Sequence, residues 1–188
     1  MTNSSKGIIF LGLPGSGKGT QADLLSVRFG LSHISTGEIL RQSIVEKTSL
    51  GQQAQSYVER GELVPDQLLL DLIDHALQND KHQSGWILDG FPRTVTQAIF
   101  LDKLLEKFPQ TSVCVVNLEV PENVLVERLR QRGRQDDTDD IIRRRLEVYH
   151  KQTAPVLDYY SSKGQMNIIN GDRQLEEITD SLEQLIGS

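Results

Sequence analysis

The residues Gly12 to Thr20 read GLPGSGKGT, four glycines and one lysine directly after the apolar run Ile8 to Leu11. Gly12, Gly17 and Lys18 keep the spacing G-x-x-x-x-G-K, which suits one chemistry. Glycines let successive backbone N–H groups turn toward a single anion, and a helix that starts at the same place adds the positive end of its dipole. The lysine then reaches the β and γ phosphates of a nucleoside triphosphate. A glycine-rich turn with a solvated lysine is the bland alternative, and the apolar strand before and helical pattern after the glycines disfavour it. Gly19 stands where the common form of this loop has Ser or Thr, and the hydroxyl follows one place later at Thr20.

Further along, Arg41 and Arg93 are planar, bidentate donors of the kind that hold a phosphate dianion, and Gln97 carries the donor–acceptor pair that can read a purine edge. Asp89 follows Trp86-Ile87-Leu88 at the carboxyl end of an expected strand, where open α/β sheets place ligands. Facing Lys18 and phosphates, its carboxylate would orient a magnesium ion through water; a strand-end aspartate capping a turn is the plainer reading. Arg128 to Arg145 holds seven of the chain's 20 basic residues together with four aspartates. On a helix that begins after Pro121, Arg128 and Arg132 are four apart and share a face, while Arg130 lies on the opposite side. Most such runs are merely solvated, but two nucleotides meeting head-on, and a loose phosphoryl transition state between them, need many cations in one place. His33 sits near these groups; transfer to a phosphate dianion has no proton to remove, so it is read as structural.

These groups need a scaffold. Short β-type runs at 7–12, 32–35, 86–90, 112–120 and 166–171 alternate with helical stretches at 19–29, 66–77 and 97–108, each helix carrying one apolar stripe. The pattern is that of an α/β protein with a five-stranded parallel sheet flanked by helices. Residues 36–64 contain helical pieces but no buried-strand run, enough for a small helical insert. Gly133 marks a break, and the DDTDD that follows reads as an exposed loop.

With 188 residues the chain is near the size of one domain. A net charge of −6 argues against nonspecific nucleic-acid binding. Cys114, the one cysteine, lies in an apolar run and excludes an internal disulfide or a cysteine-rich zinc site, compatible with a reducing cytoplasm. The polar start MTNSSK leads into an apolar run too short for a signal-peptide core or a membrane span.

The loop GxPGSGKGTQ, then Ser35-Thr36-Gly37, Arg41, and Asp89-Gly90-Phe91-Pro92-Arg93 with Gln97, occur in an order that resembles the nucleoside monophosphate kinases, adenylate kinases in particular. The resemblance runs from about Gly7 to Ile186. It implies a P-loop NTPase fold in a single domain, with core segments 1–34, 65–133 and 141–188, a nucleoside-monophosphate insert at 35–64 and a lid at 134–140. It implies transfer of the terminal phosphoryl group of Mg-ATP to AMP, giving two ADP, by a cytoplasmic monomer that needs neither nucleic acid nor membrane. By the same resemblance Gly15, Ser16, Gly17, Lys18, Gly19, Thr20, Arg128, Arg132 and Arg173 bind ATP. Thr36, Arg41, Glu62, Leu63, Val64, Gly90, Phe91, Pro92, Arg93, Gln97, Arg134 and Arg145 bind AMP. Lys18, Asp89, Arg93, Arg128, Arg132, Arg134 and Arg145 carry the catalysis, with magnesium held through water near Thr20 and Asp89. Asp136 and Asp137 match the family's lid aspartates. The handful of residues between Gly133 and Ile141, without cysteine, implies the short lid that lacks zinc. Two alternatives stay open: a UMP/CMP kinase of the same fold, which usually has alanine where Thr36 stands, and a slow P-loop switch, for which the chain lacks N-K-x-D.

Overall fold

A computed structural model describes residues 5–78 and 85–187, so most of the polar start MTNSSK lies outside the described residues. The five expected strands form: β1 Ser5–Leu11, β2 Ser32–Ser35, β3 Gly85–Asp89, β4 Thr111–Glu119 and β5 Met166–Asn170. All neighbours pair parallel in one sheet of order β2-β3-β1-β4-β5, with Ile8 beside both Ile87 and Cys114. The chain lays β2 and β3 on one side of β1 and then crosses it to lay β4 and β5 on the other. The carboxyl ends of β1 and β3 therefore border the place where winding reverses and where such sheets bind ligands.

The unbroken apolar run of β1 has its reason in the layers. Ile9 and Leu11 join Leu88 and Val115 under α4 (Asp66–Leu77), α5 (Val95–Leu105) and α8 (Ala154–Ser162), with Ile73, Leu101 and Tyr160 packed there. Ile8 and Phe10 point the other way, joining Ile87, Val116 and Leu118 under α1 (Lys18–Phe29) and α9 (Leu175–Gly187) with Leu25 and Leu182. A central parallel strand covered on both faces has no polar side to show.

The expected insert is two helices, α2 (Thr36–Val45) and α3 (Ser49–Glu59), and α6 (Glu122–Arg132) ends at Gly133 as expected. The chain then continues through α7 (Asp139–Val148) and a π-helical turn, Tyr149–Thr153, into α8. Helix α5 begins two residues before its expected start because the Thr94 hydroxyl accepts a hydrogen bond from the Gln97 N–H at 3.2 Å and caps it. Among the described residues no helix is long and apolar enough to cross a membrane.

Candidate active site

The glycine loop joins β1 to α1, at the carboxyl edge of the sheet. Gly12 has φ +133, and a Cβ there would lie 2.7 Å from the Leu118 carbonyl oxygen, so only glycine brings the loop this close to β4. The Lys18 ammonium donates to the carbonyls of Gly12 and Leu13, each at 2.9 Å, and to Ser16 Oγ at 3.3 Å. Burial lowers its pKa to about 8; Asp89 opposes that shift, and the positive charges of Arg93 and Arg132 add to it. Lys18, Arg93 and Arg132, from distant parts of the sequence, line one space.

Asp89 ends β3 and looks onto the start of α1. Its burial favours the neutral acid, but His33, Lys18 and Arg93 outweigh that and hold its pKa below the usual carboxylate range. His33 Nδ1 is hydrogen-bonded to Asp23 Oδ1 at 2.8 Å, while its buried Nε2 lies 3.9 Å from Asp89 Oδ2, too far for a hydrogen bond.

Opposite the glycine loop, Arg41 rises from α2 and Arg93 from the turn after β3. Burial depresses the pKa of Arg93; Asp89 counteracts it, and the charges of Arg145 and Arg41 reinforce it. For Arg41, too, burial is the main depressing cause, followed by the nearby charge of Arg134. The turn is built around Gly90 at φ +84, where a Cβ would meet Thr36 Oγ1 at 2.7 Å and Arg93 Nη2 at 2.9 Å. The Gly90 carbonyl accepts from Thr36 Oγ1 at 2.9 Å and from Arg93 Nε at 2.7 Å.

Over the space between these two sides stands the arginine-rich segment. Arg132 grips Asp137 with two hydrogen bonds, Nε to Oδ2 at 2.8 Å and Nη2 to Oδ1 at 2.7 Å. Arg145 adds a third at 3.0 Å and also pairs with Asp136, and the Arg134 N–H donates to Asp137 at 3.3 Å. The Asp137 side chain is 0% exposed, so the loop read from the sequence as exposed turns one aspartate fully inward. Arg128 donates to the Gly171 carbonyl at 3.0 Å and to Asp172 at 3.3 Å, beside Arg173 at the end of β5. Arg130 points away from the cavity, as its position on the helix implies, and holds Asp139 at 2.8 and 3.0 Å.

Together these groups enclose a cavity of about 640 Å³. Its wall includes Gly15 to Thr20, Arg41, Glu62 to Val64, Asp89, Gly90, Pro92, Arg93, Arg128, Arg132, Arg134, Arg145 and Arg173. Three expected contacts stand behind that wall. Thr36 is 1% exposed, Phe91 and Gln97 0%, and their polar groups face protein partners. The Gln97 amide donates to Asp66 Oδ1 at 2.6 Å and accepts from the Arg93 N–H at 2.7 Å. Sequence reasoning passed over Tyr149 and Thr153, cavity residues that sit on the π-helical turn, whose extra residue leaves no regular period to read. It also passed over Asp66, which lies 31 residues from Gln97 with no local signal in the sequence to join the two. Among the described residues no cluster of three His, Cys, Asp or Glu is placed to hold a metal ion.

The arrangement can bind one polyphosphate on the glycine loop and a second phosphate on Arg41 and Arg93, with Arg132 and Arg145 between them. Comparison with known proteins points to one family. The family model described as "Adenylate kinase" matches residues 10–165. The chain is 55% identical to "Adenylate kinase 1" of Nostoc sp., over 96% of this chain and 98% of that protein. It is 53% identical to "Adenylate kinase 1" of Synechocystis sp., over 97% of each, and 37% identical to "Adenylate kinase" of Caldicellulosiruptor bescii, over 96% of this chain and 98% of that one.

Proposed function

The chain belongs to the adenylate kinase family, a phosphotransferase family with a phosphate acceptor, and from that premise we propose how its residues divide the work. The reaction is Mg-ATP + AMP ⇌ 2 ADP, and the UMP/CMP kinase and the P-loop switch are disfavoured. The donor lies along Gly15 to Thr20 with its β and γ phosphates on Lys18, and its adenine end toward Arg128 and Arg173. The acceptor phosphate lies on Arg41 and Arg93. The backbone of Glu62 to Val64 lines its base, and Thr36, Phe91 and Gln97 build that end from behind the wall.

An oxygen of the acceptor phosphate attacks the γ-phosphorus in line as the bond to the bridging oxygen of ATP breaks, and ADP leaves carrying that oxygen. No proton has to be removed and no covalent enzyme intermediate forms, so His33, held by Asp23, has a structural role only. Lys18, Arg93, Arg128, Arg132, Arg134 and Arg145 stabilise the charge spread over the transferring group, and closure of 134–140 keeps out water that would hydrolyse ATP. The donor set fits a hydrated magnesium: Asp89 stays ionised beside the start of α1, and a Cβ on Gly19 would lie 3.5 Å from its Oδ2. Thr20 and Asp89 would hold that ion through water, and it would neutralise phosphate charge. We infer a monomer working in the cytoplasm.

The observation that carries this division is the convergence of Lys18, Arg93, Arg132 and Arg145 on one cavity from three separate segments, the glycine loop, the turn after β3 and the arginine-rich segment. Arg41→Ala tests it. The KM for AMP should rise about tenfold or more, the loss of a charge-assisted contact, while the KM for ATP stays within about twofold. Lys18→Ala should instead lower kcat by roughly 10² or more. Equal effects of Arg41→Ala on both KM values would refute the division.

A further inference from the structure

Gln97 is held at both ends, and each end dictates what it must be. The Arg93 N–H can only donate, so the atom facing it at 2.7 Å is the amide oxygen; the Asp66 carboxylate accepts, so the atom facing it at 2.6 Å is the amide nitrogen. The amide has one orientation, and a continuous line runs from Asp66 through Gln97 to the main chain of Arg93. Its two ends serve different parts of one ligand. Asp66 is the first residue of α4, reached from the cavity-lining Val64 across Pro65, where the insert rejoins the sheet. Arg93 is the arginine whose Nε is fixed on the Gly90 carbonyl and whose charge reaches Lys18. Gln97 itself is fully buried behind the wall, so in this structure its side chain is a strut.

We propose that Asp66 is a positioning residue of the acceptor site: through Gln97 it fixes Arg93 relative to the Leu63–Val64 edge of the insert, and so keeps the phosphate and base ends of the acceptor nucleotide in register. This rests on the reading above that Arg93 holds the acceptor phosphate. A carboxylate suits the task because its charge strengthens the hydrogen bond to the amide. Helix α4 gains from a carboxylate in its first turn through the helix dipole, but that gain needs no contact with Gln97.

The test is steady-state kinetics of the full chain with ATP and AMP varied separately. Asp66→Ala, and Asp66→Ser, which keeps a good helix-start residue but cannot reach Gln97, should each raise the KM for AMP about tenfold and leave the KM for ATP within about twofold. Asp66→Asn, which keeps an acceptor oxygen in the same place, should restore AMP binding to within about threefold of wild type. Because Asp66 acts through Gln97, the double variant Asp66→Ala/Gln97→Ala should be no worse than the worse single one. Fold-losses that multiply in the double variant, equal losses for ATP and AMP, or silence of both Asp66→Ala and Asp66→Ser would overturn the proposal. Arg93→Ala run beside them separates the two levels. If it weakens AMP while the Asp66 variants do not, only the role of Asp66 falls; if Arg93→Ala leaves the KM for AMP unchanged, the acceptor assignment falls with it.

Discussion

Lys18 is a cation whose charged form the fold disfavours, because its ammonium is buried and two arginines face the same cavity. Its pKa in the folded protein is about 8 against the ordinary 10.5. Below pH 8 folding confines a charged lysine at full cost. Between about pH 8 and 10.5 the folded protein has released this proton while the unfolded chain still binds it, so stability contributed by this group rises with pH across that window. Lys18→Met removes the effect. In urea melts of protein without added nucleotide, the unfolding free energy of wild type minus that of Lys18→Met should therefore increase from pH 7 to pH 10; a difference that stays flat would show that Lys18 is solvated. The residue types of this loop were legible because few arrangements of glycine and lysine after an apolar run have another use. The placement of Thr36 and Gln97 was not. Their hydroxyl and amide serve a ligand and a neighbouring main chain equally well, and only the fold shows that Gly90 and Arg93 occupy them.

At the scale of the element, the loop between α6 and α7 is organised by one buried carboxylate. Asp137 draws in Arg132 from the end of α6, Arg145 from α7 and the Arg134 N–H from the loop itself, closing the loop on its own hub. Removing one partner of a buried ion pair costs about 3–5 kcal/mol, and since Arg132 is 32% and Arg145 17% exposed, water offsets part of it. Asp137→Ala should cost about 1–3 kcal/mol in a urea melt and lower kcat, since both arginines lose their bearing. Arg132→Ala should reduce kcat by roughly 10². Arg130→Ala is the comparison: its partner Asp139 is 62% exposed, so water screens the pair and kcat should stay within about threefold. Equal losses from Arg130→Ala and Arg132→Ala would mean that the segment is a charged surface. Helices and strands here were legible where an apolar period ran to a punctuating residue, as at Gly133 after α6. The turn Tyr149–Thr153 was hidden because its irregular hydrogen bonding breaks that period, and the inward turn of Asp137 was hidden because a run of aspartates reads as solvated until its arginine partners are placed.

For the whole molecule, the sheet order brings five separate segments to one edge: the glycine loop, the insert, the turn after β3, the arginine-rich segment and the end of β5. Alternating short strands and helices announced a parallel sheet, because a strand covered on both faces must be apolar throughout. What they did not announce is which segments share a cavity, since that depends on the crossing of β1 between β3 and β4. Two anionic nucleotides facing each other across that cavity, as proposed above, would account for a chain of net charge −6 concentrating its arginines there. The most direct test is a coupled assay of ADP formation from Mg-ATP with AMP, CMP, UMP and GMP in turn. AMP should be the preferred acceptor, with kcat/KM at least about tenfold above each of the others, a difference of roughly 1.4 kcal/mol. CMP or UMP turned over as well as AMP, or no transfer to any monophosphate, would mean that the cavity between Lys18 and Arg93 is not built for this reaction.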